Sequence, residues 1–289
     1  MAKRDLDFLC DKIDFPAEFR EVIFPLVRRI EQDYNDEYTA IDKDRCNPDG
    51  YAALAVKLGE NVDAVMLAAC MMMGIDSKVR YDEMGVSEDI YYASMRELTI
   101  WSKRCYLERG HIGIYGHDWM NNFIEPHVFR IGRLEFERMK FEKGQEYHGH
   151  GVDLKGGDPV INIHIPEDGA LRHDEVLESY RRAYEFFGLK GNSPFVCHTW
   201  LLYPGNRDFL PEKSNIRPFM DDFEIVYRQD VQNAPDLWRV FGRRESYDPN
   251  ELPRDNSLRK NLAEYLETHD RVTGYGYGVF IHNGKEIVK

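Results

Sequence analysis

Long hydrophobic runs are missing from this chain of 289 residues. The longest apolar stretch, Ala64 to Ile75, lies between Asp63 and Asp76 and covers 12 residues, well short of the ~20 that a bilayer span requires. It predicts a buried helix, and no membrane is an expected partner. Cysteine is scarce too. Cys10, Cys46, Cys70, Cys105 and Cys197 are odd in number, widely spaced and without a CxxC pair, which argues against a disulfide framework or a zinc ribbon. No Lys/Arg-rich run occurs, and 38 basic against 51 acidic side chains leave a net charge of −13. Such a chain repels phosphate backbones, so nucleic acid is not an expected partner. The opening Met-Ala-Lys-Arg-Asp-Leu-Asp carries charge with no apolar segment behind it. A secretory signal is therefore not expected, and the cytoplasm is the expected compartment. The absence of a G-x-S-x-G elbow and of a Walker loop removes the usual support for a hydrolase or an NTPase.

What is present is the composition of a soluble globular protein, with 43% hydrophobic, 13% aromatic and 31% charged residues, at a length that suggests two domains. Over the first 110 residues the periodicity is helical. Phe19, Val22, Ile23, Leu26, Val27 and Ile30 form one stripe within Ala17–Asp33, which predicts an amphipathic helix. A second helical region, Gly50 to Gly74, is interrupted at Gly59–Asn61, and a third runs from a Ser87 N-cap to Gly110. Glycine, asparagine and proline in His111–Pro126 mark a change of character, which places a helical domain over 1–120 and a second domain over 121–289.

In the second domain Phe129–Phe141 alternates with period two and predicts one half-buried strand carrying Arg133 and Glu135 on one face. After a turn-rich Glu142–Asp158, Val160–Ile165 predicts a strand ended by Pro166. A helix with Val176, Tyr180, Ala183, Tyr184 and Phe187 on one stripe follows, then the nearly continuous apolar Pro194–Tyr203, as in a strand covered on both faces. Strand, helix and strand make a βαβ unit with parallel strands. A helix over Asn206–Asp222, a strand over Phe223–Arg228, an Asn/Pro-rich loop, a helix over Ser257–His269 and a terminal strand Gly274–His282 complete an α+β chain. The terminal Gly274-Tyr-Gly-Tyr-Gly278 has no helix after it, so it reads as closely packed strand or bulge rather than phosphate loop.

Four motifs, Phe129–Phe136, Gly157–Pro166, Cys197–Leu202 and Ser214–Ile216 with Phe219, resemble the bacterial acyltransferase-like proteins that pair a helical N-acyltransferase N-terminal domain with a GNAT-like C-terminal domain. The resemblance covers most of the chain. It implies a mixed sheet that splays to admit the pantetheine arm of acyl-CoA or acetyl-CoA, with Ile165, Gly169, Leu171 and Arg172 in the coenzyme-binding segment. In place of the usual glycine-rich pyrophosphate loop the chain has Pro166–Glu175, where Glu167 and Asp168 oppose a pyrophosphate and Arg172 offsets part of their charge.

Ligand crevices of open α/β sheets form at the carboxyl ends of parallel strands, where His164 and His198 fall. An imidazole there suits a general base acting on an amine or hydroxyl; the alternative is a core histidine satisfied by backbone. Arg133 and Glu135 orient a polar substrate or form a solvated face. Trp200 is substrate platform or core, and Ser214–Asn215 bind an acyl carbonyl or cap a helix. His148 and His150 with Asp153 form the one close histidine pattern, without partners at a recognised metal spacing, so no metal is expected. The expected function is acyl transfer from acyl-CoA to an amine or hydroxyl of a small molecule. The rivals are a non-catalytic small-molecule binding protein that uses the same cleft and, behind it, a metal-dependent enzyme built on His148 and His150.

Overall fold

Residues 5–231, 237–269 and 274–289 are described by the computed structural model. The chain divides into two units, 1–131 with 166–168, and 132–165 with 169–289. The first holds helices α1 (Leu6–Lys12), α2 (Ala17–Asp33), α3 (Asn35–Lys43), α4 (Pro48–Leu58), α5 (Val62–Glu83), α6 (Glu88–Met95), α7 (Glu97–Arg109) and α8 (His117–Ile124), with strand β1 (Val128–Ile131). The second holds β2 (Leu134–Lys140), β3 (Glu146–Gly149), β4 (Val152–Lys155), β5 (Pro159–His164), α9 (His173–Phe186), β6 (Ser193–Thr199), α10 (Ile216–Asp221), β7 (Glu224–Asp230), α11 (Leu237–Phe241), α12 (Ser257–Leu266), β8 (Gly274–His282) and β9 (Ile287–Val288).

In the helical unit the expected break at Gly59–Asn61 is a pair of caps. Gly59 ends α4 at φ +67, and the Asn61 side chain accepts from the Asp63 amide at 2.8 Å to start α5. The apolar run is the centre of α5, where Val65 and Leu67–Met73 are essentially fully buried. Each large side chain there contributes about 1.5–3 kcal/mol. No single helix among the described residues is long and apolar enough to cross a membrane. The expected helix from Ser87 to Gly110 is two helices, α6 and α7, divided at Arg96; Gly110 closes the second at φ +72.

In the second unit β2 runs antiparallel to β5, β5 parallel to β6, and β6 antiparallel to β8, which also pairs with β7 and β9. The parallel βαβ unit expected from the sequence is β5–α9–β6. One face of this sheet packs Phe195 and Phe280 against Tyr180 of α9. The opposite face is divided. Val160, Val196, Tyr277, Val279 and Ile281 form one core cluster with Phe141 and with Tyr147 and Leu154 of the β3–β4 hairpin, Tyr227 packing at its edge, and the rest of that face carries the polar residues described below.

Three further expectations are corrected. Phe129–Phe141 is not one strand: β1 stops at Ile131, Gly132 takes φ +72, and β2 starts at Leu134, so Arg133 sits in a turn rather than beside Glu135 on a strand face. Asn206–Asp222 is not one helix: a 3-10 turn at Pro204–Asp208 and the short α10 are separated by a break that holds Pro211, and Pro218 lies in the first turn of α10. The turn-rich Glu142–Asp158 contains the β3–β4 hairpin, whose two-residue turn His150–Gly151 has φ +52 and +74, the geometry that matches strand twist. Within the expected Asn/Pro-rich loop, residues 232–236 lie outside the described residues.

Candidate functional site

In the sheet of the second unit one strand pair stops short, and it marks a seam. β5 and β6 are registered at Ile161–Phe195 and Asn162–Val196. Beyond that point β5 continues to His164 and β6 to Thr199 with no further registered pair among the described residues. Each strand meanwhile keeps its outer partner: β5 stays paired with β2 through His164, and β6 with β8 through Thr199. Backbone groups at such a seam lack the ladder bonds that a parallel pair ordinarily supplies. One carbonyl is satisfied otherwise, since the buried Cys197 thiol donates to Ile163 O at 3.3 Å. Burial pushes that thiol well above its usual range, which keeps it protonated and a donor. The registered pairing of β5 and β6 thus ends short of the last residues of both strands.

His164 stands at the lip of the seam. Cross-strand partners share a face, so Glu135, opposite His164, and Glu137, opposite Asn162, lie on the same face as those two. The His164 Nε2 is 2.7 Å from Glu137 Oε1, and the Asn162 amide donates to the same oxygen at 3.0 Å. Glu135 is 1% exposed, which removes the solvated-face reading. His164 and Glu137 keep side-chain exposures of 29% and 24%. The arrangement is a carboxylate–imidazole pair, braced by an amide and half open to solvent, which suits proton transfer. The sequence reasoning missed Glu137 and Asn162. Both sit two residues from positions it did single out, and strand alternation is the signal that finds them.

His198 lies on the same face, across the seam. It is exposed and rings itself with Tyr227, Tyr275 and Tyr277 at 5.7, 5.5 and 5.9 Å.

The other expected residues are dispersed. Arg133 is buried and holds the loop ahead of α9, its Nε donating to Ala170 O at 3.0 Å and its Nη2 to Gly169 O at 2.5 Å. Leu171 is buried, and Ile165 follows β5. Arg172 occupies the N-cap of α9 and pairs with Glu175. No side chain caps that helix start, so its first-turn N–H groups point outward at the positive end of the helix dipole. Trp200 opens a 3-10 turn and its carbonyl accepts from Asn206 at 2.7 Å. Ser214 Oγ accepts from the Ile216 amide at 3.3 Å, with Asn215 at the N-cap of α10, a local turn of the capping kind. In the helical unit the acidic pair is neutralised: Glu167 pairs with Arg104, and Asp168 takes a two-pronged bond from Arg130 at 2.7 and 2.9 Å.

His148 and His150 do not converge. His148 Nδ1 meets Asp153 at 2.8 Å within the hairpin, and His150 pairs with Glu224. In the helical unit Asp63, Cys105 and His111 do come together. There Asp63 Oδ2 takes Arg109 Nη1 at 2.6 Å and His111 Nε2 at 2.8 Å, with Cys105 Sγ at 3.8 Å. A guanidinium on the shared oxygen opposes a cation in that place, and burial raises the Cys105 thiol to about 12, further from a thiolate ligand.

Comparison with known proteins accounts for both units. No curated protein sequence matches the chain. Among solved structures, an acyltransferase in complex with decanoyl-CoA and teicoplanin superposes with a TM-score of 0.73 at 17% identity, covering 99% of this chain and 88% of the other. A complex described as an acyltransferase with CoA and 10C-teicoplanin gives 0.71 at 18% identity, covering 96% and 87%. A mutant acyltransferase with octanoyl-CoA gives 0.69 at 18%, covering 95% and 86%. Residues 4–125 match the N-acyltransferase N-terminal domain and residues 128–280 the GNAT-like C-terminal domain. The chain thus belongs to the family that joins an N-acyltransferase N-terminal domain to a GNAT-like C-terminal domain.

Proposed function

We propose that this protein transfers an acyl group from acyl-CoA to an amine or hydroxyl of a small molecule. The observation that carries this reading is the short pairing of the β5/β6 seam, with His164 at the end of β5 beyond it. A pantetheine arm is an extended chain of amides, and the seam offers it strand edges with which to pair. The segment Gly169–Arg172 and the uncapped start of α9 suit the coenzyme phosphates. Pairing of Glu167 and Asp168 with arginines answers the charge objection that their sequence raises. That the neighbouring acyltransferases are bound to decanoyl-CoA, CoA and octanoyl-CoA agrees with it.

In this scheme the Glu137 carboxylate accepts the Nε2–H of His164, which selects the tautomer with its lone pair on Nδ1. Nδ1 removes the proton as the acceptor nitrogen or oxygen attacks the thioester carbonyl. A C–N or C–O bond forms, the C–S bond breaks, and the coenzyme thiolate leaves and takes up a proton. Saturating acyl-CoA at a hundredfold excess over Kd should stabilise the native state by about 2.7 kcal/mol, read as a raised Tm across acetyl to decanoyl chains. Free-thiol release with a panel of amines and alcohols then measures turnover. A Tm indifferent to every acyl-CoA overturns the proposal.

A further inference from the structure

The tyrosine face of the terminal glycine–tyrosine alternation begins in the core and ends half-buried. Gly274, Gly276 and Gly278 lie on one side of β8, where a Cβ at Gly276 would fall on the Leu202 carbonyl and one at Gly278 would come within 2.8 Å of Phe223 Cβ. The tyrosines stand on the other side. Tyr277 is registered opposite His198 on β6 and opposite Tyr227 on β7, so the three rings share a face and form a row across the sheet. Tyr277 and Tyr227 stack at 5.3 Å and 24°, and His198 meets their rings, and that of Tyr275, edge-on. Tyr277 belongs to the core, against Phe141, and backs the row; Tyr227 and Tyr275 are half-buried and His198 is exposed, so these three rings supply its accessible surface. The Glu142 carboxylate accepts the Tyr227 hydroxyl at 2.7 Å and holds that ring in place.

We infer that this row is the acceptor platform, and that the acceptor is an alkylamine that bears an aromatic ring. Three features carry the inference. By strand alternation from the Asn162–Val196 pair, the platform lies on the same side of the sheet as His164. Its surfaces are π faces and ring edges, which recognise a planar ring through offset and edge-to-face contacts. The carboxylates on that face, Glu135, Glu137 and Glu142, together with a chain charge of −13, favour a cationic ligand over an anionic one. The role as acceptor site rests on the acyl-transfer reading. The ring preference does not.

The test is an NMR titration of the whole protein with phenethylamine, cyclohexylethylamine and hexylamine, without acyl-CoA. Phenethylamine should bind about tenfold more tightly than its saturated counterpart. Tyr227→Leu should erase that preference, while Tyr227→Phe, which keeps the ring and loses the Glu142 bond, should retain it. Because Tyr227→Leu removes packing, His198→Leu serves as a second probe and should also reduce the preference. Equal binding of all three amines by wild type, or a preference untouched in both leucine variants, overturns the assignment. Displacement of phenethylamine by ADP would give the platform to the nucleotide of the acyl donor and overturn it as well. With acyl-CoA present, Tyr227→Leu should raise the phenethylamine KM about tenfold and change kcat less. Ring-selective binding with no thiol release from any acyl-CoA would leave the platform standing and sink the acyl-transfer reading.

Discussion

Two of the histidine–carboxylate pairs among the described residues, one in each unit, are almost identical in length. In the helical unit His111 Nε2 lies 2.8 Å from Asp63, and in the sheet unit His164 Nε2 lies 2.7 Å from Glu137. Their surroundings separate them. Asp63 is 7% exposed and takes a guanidinium and an imidazole on the same oxygen, with a thiol near it, while its backbone carbonyl accepts from Ile114 at 2.9 Å. It is a junction that ties α5 to α7 and to the segment after it. Glu137 receives a neutral amide beside the imidazole, at the lip of the seam. A short bond between imidazole and carboxylate is therefore no sign of chemistry by itself; what else the carboxylate must satisfy decides its role.

The sharpest way to break this comparison is His164→Gln. Turnover should fall by roughly 10²–10⁴-fold with the melting curve nearly unchanged. Lost stability with intact thiol release would make His164 a structural residue like His111.

A histidine without a carboxylate sharpens the contrast. His282 is buried, and desolvation lowers its pKa to about 4; its Nδ1 accepts the Gly284 amide at 3.0 Å, a bond available to the neutral ring. The unfolded chain, with a pKa near 6.5, binds this proton more readily than the native state. Stability should therefore fall as pH drops from about 6.5 to 4, by up to about 3 kcal/mol, and this term should level off below that range. His282→Asn should flatten the slope in urea denaturation across those pH values; an unchanged slope would assign the titration elsewhere.

Asp63→Asn should cost about 2 kcal/mol, since Arg109 and His111 lose a charged acceptor. The midpoint of urea unfolding should fall while kcat per folded molecule stays constant. A fall in kcat at full folding would show that the junction reaches the chemistry. Glu137→Gln should lower turnover about 10- to 100-fold, because an amide holds the imidazole less firmly than a carboxylate does. A mere loss of stability would reduce Glu137 to a brace. The smallest effect belongs to His111→Gln, about 1 kcal/mol or less at a half-buried site that keeps Arg109 on Asp63.

Much of this fold was legible where periodicity is strong and the punctuation is chemical. α2 has the bounds that its apolar stripe marked, and β8 spans Gly274–His282 as expected. The failures share a cause. Gly132 breaks the long alternation because its left-handed φ turns the chain, and alternation on both sides conceals the turn. The β3–β4 hairpin was hidden because His150 supplies a positive φ that asparagine or glycine usually signals. At the site, the βαβ reading placed His164 and His198 near the ends of adjacent parallel strands, yet Glu137 and the tyrosines of β7 and β8 required knowledge of which other strands are neighbours. Pairing order is set by tertiary packing and is not written in any local window.

The glycine side of β8 carries a consequence for the chain's room to vary. Substitutions along residues 274–278 should alternate between refused and accepted: at each glycine a methyl group meets backbone or a packed ring of the neighbouring segments, whereas the half-buried Tyr275 on the other face should accept another aromatic residue. A saturation library read for folded protein would show that alternation as a period-two stripe. The five-residue segment could then drift in ligand preference through its tyrosines while its glycines stay constant, so that the same close packing that restricts one face leaves the other open to respecialise.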